Sequence, residues 1–152
     1  MTPAEQALTA PSPRTSNRRE SLQVAAASLA VLAASLWLQP DADGYGTHRQ
    51  LHLPPCVFRA ITGVPCPFCG MTTGFAHMAR GELTAAWHAN LMAPPAFLLT
   101  IALALGALWG GITNRAWLPK MLRSPSFSKV LLAVILLFWI ANIVLQYAPR
   151  LY

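Results

Sequence analysis

An all-α integral membrane protein with three transmembrane helices is the fold class this 152-residue chain predicts, and three observations carry the prediction. Hydrophobic residues make up 55% of the chain and charged residues only 11%, against about 25% charged in an average soluble domain. The apolar residues collect in three uncharged blocks, 21–38, 91–112 and 130–148, each near the ~20 residues that cross a ~30 Å hydrocarbon core. The basic residues flank these blocks and form no stripe, so the net charge of +6 does not point to nucleic acid. In lipid a spanning backbone must satisfy its own polar groups, which makes each block a helix.

Residues 1–20 are rich in Pro, Ser, Thr and Arg and read as a disordered tail. The first span, 21–38, has a signal peptide as its competing reading. Arg18 and Arg19 precede it, weakly echoing a twin-arginine signal, and Ala33-Ala34-Ser35 resembles a cleavage site. The run is longer than a usual h-region of about 7–15 residues, and Trp37 reads as an interfacial anchor, so a retained span is expected.

Residues 39–90 form the loop between the first two spans. Pro40, Asp41, Asp43, Gly44, Gly46, Pro54 and Pro55 mark its first part as irregular, with His48 and His52 in a solvated loop. Residues 56–64 predict a short interfacial helix ending at Gly63. Cys66-Pro67-Phe68-Cys69-Gly70 follows as a tight turn. From Cys69 to Arg80 a helix is expected. At about 100° per residue it places Cys69, Thr73, His77 and Arg80 on one face and Met71, Phe75 and Met78 on the other. Gly70 and Gly74 lie between, spaced for close helix packing. The hairpin is interfacial or re-entrant. Gly81 ends this helix and Glu82–Ala89 starts another, with Glu82 favoured by the helix dipole.

Asn90 is a candidate cap for the second span, 91–112, and Pro94-Pro95 falls in its first turns. Residues 113–129 read as a basic loop broken by Pro119 and Pro125. The third span, 130–148, carries Asn142 and Gln146 on one face, amides expected to pack helices together, and 149–152 is a short tail.

Orientation follows from Lys and Arg. Arg14, Arg18 and Arg19 cluster before the first span; Arg115, Lys120, Arg123 and Lys129 cluster between the second and third. Arg49, Arg59 and Arg80 are spread thinly over the long loop. The positive-inside rule therefore places the N-terminus and the 113–129 loop in the cytoplasm of a cell (inner) membrane protein, and the cysteine segment outside.

The chemistry is concentrated in the cysteines. Cys66 and Cys69 have the spacing of a zinc knuckle, but one knuckle supplies two of the four ligands zinc takes. Cys56, His48, His52, His77 or a second subunit are candidates to complete a zinc or iron site. A redox dithiol is the rival, since an outward-facing segment is in an oxidising compartment. The leading reading of the pair is a plain structural turn, with or without a static disulfide. Haem attachment is disfavoured because Gly70 stands where C-x-x-C-H needs histidine. Thr73, His77 and Arg80 form a candidate ligand face beside Cys69; alternatively they are the wet side of an interfacial helix. Acidic residues are few (Glu5, Glu20, Asp41, Asp43, Glu82), which disfavours carboxylate-driven hydrolysis and proton-coupled transport.

The run Cys56-Val57-Phe58-Arg59-Ala60-Ile61-Thr62-Gly63-Val64-Pro65-Cys66-Pro67-Phe68-Cys69-Gly70-Met71-Thr72 resembles the bacterial membrane family called domain of unknown function 2752. The resemblance covers about residues 54–100, with Gly81-Glu82 and Asn90 matching further family positions. Two departures stand out: Thr73 where the family often has arginine, and Leu91 where a proline usually follows the asparagine. The resemblance implies a small multi-span bacterial membrane protein and no particular activity. The leading expectation is non-enzymatic: a structural or interaction subunit of a membrane complex, in contact with lipid and with a membrane-protein partner or further copies of itself. A metal- or cofactor-binding protein using Cys66 and Cys69 and a membrane thiol-disulfide oxidoreductase are the alternatives.

Overall fold

A computed structural model describes residues 13–113 and 125–147. Among these, every regular element is helical: α1 (Pro13–Trp37), a 3-10 turn (Thr47–Leu51), α2 (Val57–Thr62), α3 (Met71–Met78), α4 (Leu83–Ala89), α5 (Ala93–Thr113) and α6 (Pro125–Asn142), which runs on as a π-type turn, Ile143–Tyr147. Three stretches, Arg18–Trp37, Ala93–Thr113 and Ser128–Leu145, are long and apolar enough to cross a membrane. The all-α, three-span class expected from the sequence is therefore the class observed.

The first helix starts earlier than composition suggested. Residues 13–20, read as part of a disordered tail, are helical; residues 1–12 lie outside the described part. Pro13 opens the helix at the one position where a missing N–H costs nothing, and the following Arg and Glu residues are good helix formers.

α1 and α5 pack against each other along their length. The buried face of α1 is small, with Ser21, Ala25, Ser28 and Ser35, and so is that of α5, with Ala104, Ala107, Gly110 and Gly111. Between spans there is no hydrophobic gain over lipid, so close backbone approach is what holds such a pair. The pair is antiparallel. Gly111, near the end of α5, faces Leu22 near the start of α1, while Leu32 packs on the Phe75–Ala93–Phe97 cluster at the start of α5. The whole segment 39–92 therefore caps one end of this pair.

α3 lies across that end. Its apolar face, Met71, Phe75 and Met78, joins Ala93 and Phe97, with the Phe75 and Phe97 rings edge-to-face at 5.4 Å. Gly74 makes the approach possible, because a Cβ there would collide with the Ala93 side chain. Asn142 of α6 is buried, and its Oδ1 has no hydrogen-bond partner among the described residues. The Gln146 side chain, expected to share its face, lies outside the described residues. α6 is mostly exposed and meets the rest of the protein near its C-terminal end. There Trp139 Nε1 donates to the Pro65 carbonyl at 2.8 Å, and its ring stands edge-on to Phe58 at 6.0 Å.

Candidate thiol centre

The C-P-x-C spacing is a turn signal before it is a ligand signal. Pro67 presets φ for the second position of a β-turn, and the Cys69 N–H donates to the Cys66 carbonyl at 3.0 Å to close it. A second turn follows, Met71 N–H to Phe68 carbonyl at 3.0 Å. Gly70 then takes φ +83°, a left-handed conformation that favours glycine. It is also wedged in, since a Cβ there would run into the Ala89 carbonyl oxygen. The result sets the Cys66 and Cys69 sulfurs 3.3 Å apart.

Cys56 reaches the same place by a helical detour. It precedes α2, and the helix is stopped by Gly63 at φ +73°, whose N–H donates to the Arg59 carbonyl at 2.9 Å. The Thr62 hydroxyl donates to the Phe58 carbonyl at 2.7 Å and accepts the Val64 N–H at 3.2 Å, turning the chain back toward Pro65 and Cys66. All three sulfurs lie within 4.8 Å of one another, and all three thiols are free. The sequence named Cys56 only as one of several partners for the pair.

Asn90 anchors this turn to the second span. Its Nδ2 donates to the carbonyls of Pro67 at 3.1 Å and Cys69 at 2.9 Å, while Oδ1 accepts the Met92 N–H at 2.8 Å. The side chain is 1% exposed. The expected cap of α5 is thus also the clamp of the cysteine turn, a role that no local pattern signals.

The proposed ligand face is used internally. The Thr73 hydroxyl is buried in a 2.8 Å hydrogen bond with Thr47. His77 pairs with the Glu82 carboxylate. Arg80 donates to the Ala76 carbonyl at 2.8 Å and, at 3.4 Å each, to the carbonyls of Ser35 and Leu36. A cation there complements the negative end of α1. The helix expected over Cys69–Arg80 is shorter, Met71–Met78, so Thr73 and His77 lie on α3 while Cys69 and Arg80 lie in the turns before and after it. The three side chains Thr73, His77 and Arg80 do not converge on one ligand.

The thiols instead open onto a cavity of about 890 Å³, whose lining includes Asp41, Tyr45, His48 and Arg59. The Arg59 guanidinium stacks over the Tyr45 ring at 4.1 Å. His48 belongs to a 3-10 turn, not to the irregular loop expected; His52 ends that turn at φ +57°. The thiols differ in acidity. The backbone N–H of Arg59 holds the Cys56 thiol below its ordinary value. Burial, with the neighbouring Cys66 thiol, pushes Cys69 up to about 12.

In tetrahedral coordination at a Zn–S distance of ~2.3 Å, sulfurs sit about 3.8 Å apart. The observed spacing of 3.3 Å for one pair and under 4.8 Å for all brackets that value, so the cluster fits a thiophilic cation with little movement.

Residues 56–104 match the family described as "Protein of unknown function (DUF2752)", which supports the resemblance carried by the cysteine motif. The match takes in all three cysteines, the clamp Asn90 and the first half of α5. No curated protein and no solved structure matches the chain.

Proposed function

We propose that this is a thiolate metal-binding membrane protein in which Cys56, Cys66 and Cys69 hold one zinc or iron(II) ion. The observation that carries the reading is the convergence of three free sulfurs within 4.8 Å from two separate segments. A structural turn accounts for Cys66 and Cys69, but it does not account for Cys56 joining them. Thiolates select soft and borderline cations, and the ion's charge would offset the burial that keeps Cys69 protonated.

The positive-inside distribution supports an inner-membrane orientation with the N-terminus and 113–129 loop cytoplasmic, and residues 39–90 with the metal centre outside. The function is non-enzymatic in this reading.

The test is elemental analysis of full-length protein purified gently in detergent. About one zinc or iron per chain is expected, lost in Cys56→Ser and in Cys66→Ser. Metal-free protein with unchanged stability overturns the proposal. If that protein instead cycles Cys66 and Cys69 between thiol and disulfide, the oxidoreductase reading replaces it. A second reading, an interaction subunit of a membrane complex, is favoured by α6, whose sides are largely uncovered by the rest of the protein. Lipid alone can cover them, so co-purification of a defined partner or oligomer decides that point.

A further inference from the structure

We infer that His48 is the fourth ligand, making the centre a closed Cys3His site. The inference rests on the metal-binding reading and adds to it the residue that completes the coordination. Structural zinc sites are four-coordinate, and three protein sulfurs leave one position to fill. Among the described residues, no other Cys, His, Asp or Glu brings a ligand atom into the thiol cluster itself. The wall of the cavity onto which the thiols open carries further donors from this chain.

That wall narrows the choice. Of the histidines weighed from the sequence, only His48 lines the cavity. His77 is paired with Glu82, and His52 is exposed outside the lining. Asp41 is tied into its own turn, accepting the Asp43 N–H at 3.0 Å, and Asp43 is exposed. His48 is half-buried, and its side chain has no hydrogen-bond partner among the described residues.

Its backbone is held in place by the metal-bearing segment itself. Thr47 is fully buried, and its hydroxyl both accepts the Asp41 N–H at 2.9 Å and bonds Thr73 at 2.8 Å. Thr73 lies in the first turn of α3, four residues after Cys69. The Thr47–Thr73 bond therefore fixes the residue next to His48 against the helix that the cysteine turn leads into.

Cobalt(II) titration of the full-length protein in detergent micelles tests this, read by its ligand-field and thiolate charge-transfer bands. Wild type is expected to show a tetrahedral spectrum with three thiolates. His48→Ala should weaken binding on the order of 100-fold and shift the ligand-field band, and imidazole should restore both. His48→Cys should keep tight binding and raise the charge-transfer intensity by roughly a third, because four thiolates then bind. His52→Ala should change nothing. Tight binding with an unchanged spectrum in His48→Ala overturns the inference while leaving the three-thiolate reading intact. Failure of wild type to bind cobalt or zinc overturns both.

Discussion

Replacing Asn90 with alanine isolates the link between the cysteine turn and the second span. The substitution removes three hydrogen bonds of 2.8–3.1 Å and leaves two carbonyls and one N–H without the partner that served them in a buried site. At about 1 kcal/mol for each bond the loss is about 3 kcal/mol. That corresponds to a roughly 100-fold larger population in which the turn has opened, and to a thermal midpoint lower by about 6–12 °C. The assay is heat-ramped maleimide labelling of chelator-treated protein in detergent, with the labelled site assigned by mass spectrometry. Cys69, 8% exposed in the closed state, should label at a lower temperature in Asn90→Ala than in wild type. Asn90→Asp should be at least as harmful. It keeps the acceptor for Met92 but has no donor for the Pro67 and Cys69 carbonyls. An unchanged midpoint and unchanged Cys69 labelling in Asn90→Ala would refute the clamp.

Four further outcomes are expected. Gly74→Ala should lower the thermal midpoint by the equivalent of about 1–3 kcal/mol, because the new methyl meets the Ala93 side chain in a packed contact. In metal-free native protein, alkylation should strike Cys56 first and at lower pH, since its lowered pKa enriches the thiolate, while Cys69 stays silent. For Cys69 the folded value is raised above the ordinary 9.0, so its contribution to stability is complete below pH 9 and is lost as pH rises toward about 12; alkaline denaturation of wild type against Cys69→Ala measures this. Trp139→Phe should cost about 1 kcal/mol by removing the bond to Pro65 while keeping an aromatic ring against Phe58; calorimetry of the two proteins in the same detergent gives the difference.

Much of this architecture was legible beforehand because it depends on local pattern. The spans follow from the length of uncharged apolar runs. α2 ends at Gly63 as expected because a left-handed cap favours glycine. The split of Met71, Phe75 and Met78 from Thr73 and His77 follows from 3.6-residue periodicity, and the former do meet the core. The start of α1 was misplaced because polar composition, which suggests disorder, does not prevent Arg- and Glu-bearing turns from extending a helix already anchored by its span.

The candidate site was legible only in part. Helical periodicity groups Thr73, His77 and Arg80 with Cys69, but it says nothing of what each meets: Thr47, Glu82 and the end of α1 respectively. Those partners are 5 to 45 residues away in sequence, so only the packed fold selects them. Asn90 was readable as a cap and unreadable as a clamp for the same reason.

The sequence by itself determined three helices long and apolar enough to cross a membrane and a turn that pairs Cys66 with Cys69, since hydropathy and turn chemistry act over a few neighbouring residues. Only the tertiary structure decided that Cys56 joins that pair, that His48 shares its cavity, and that Asn90 and Trp139 tie the turn to two different spans. Those contacts arise where separate segments are packed over one end of the α1–α5 pair, and no periodicity within any one segment encodes them.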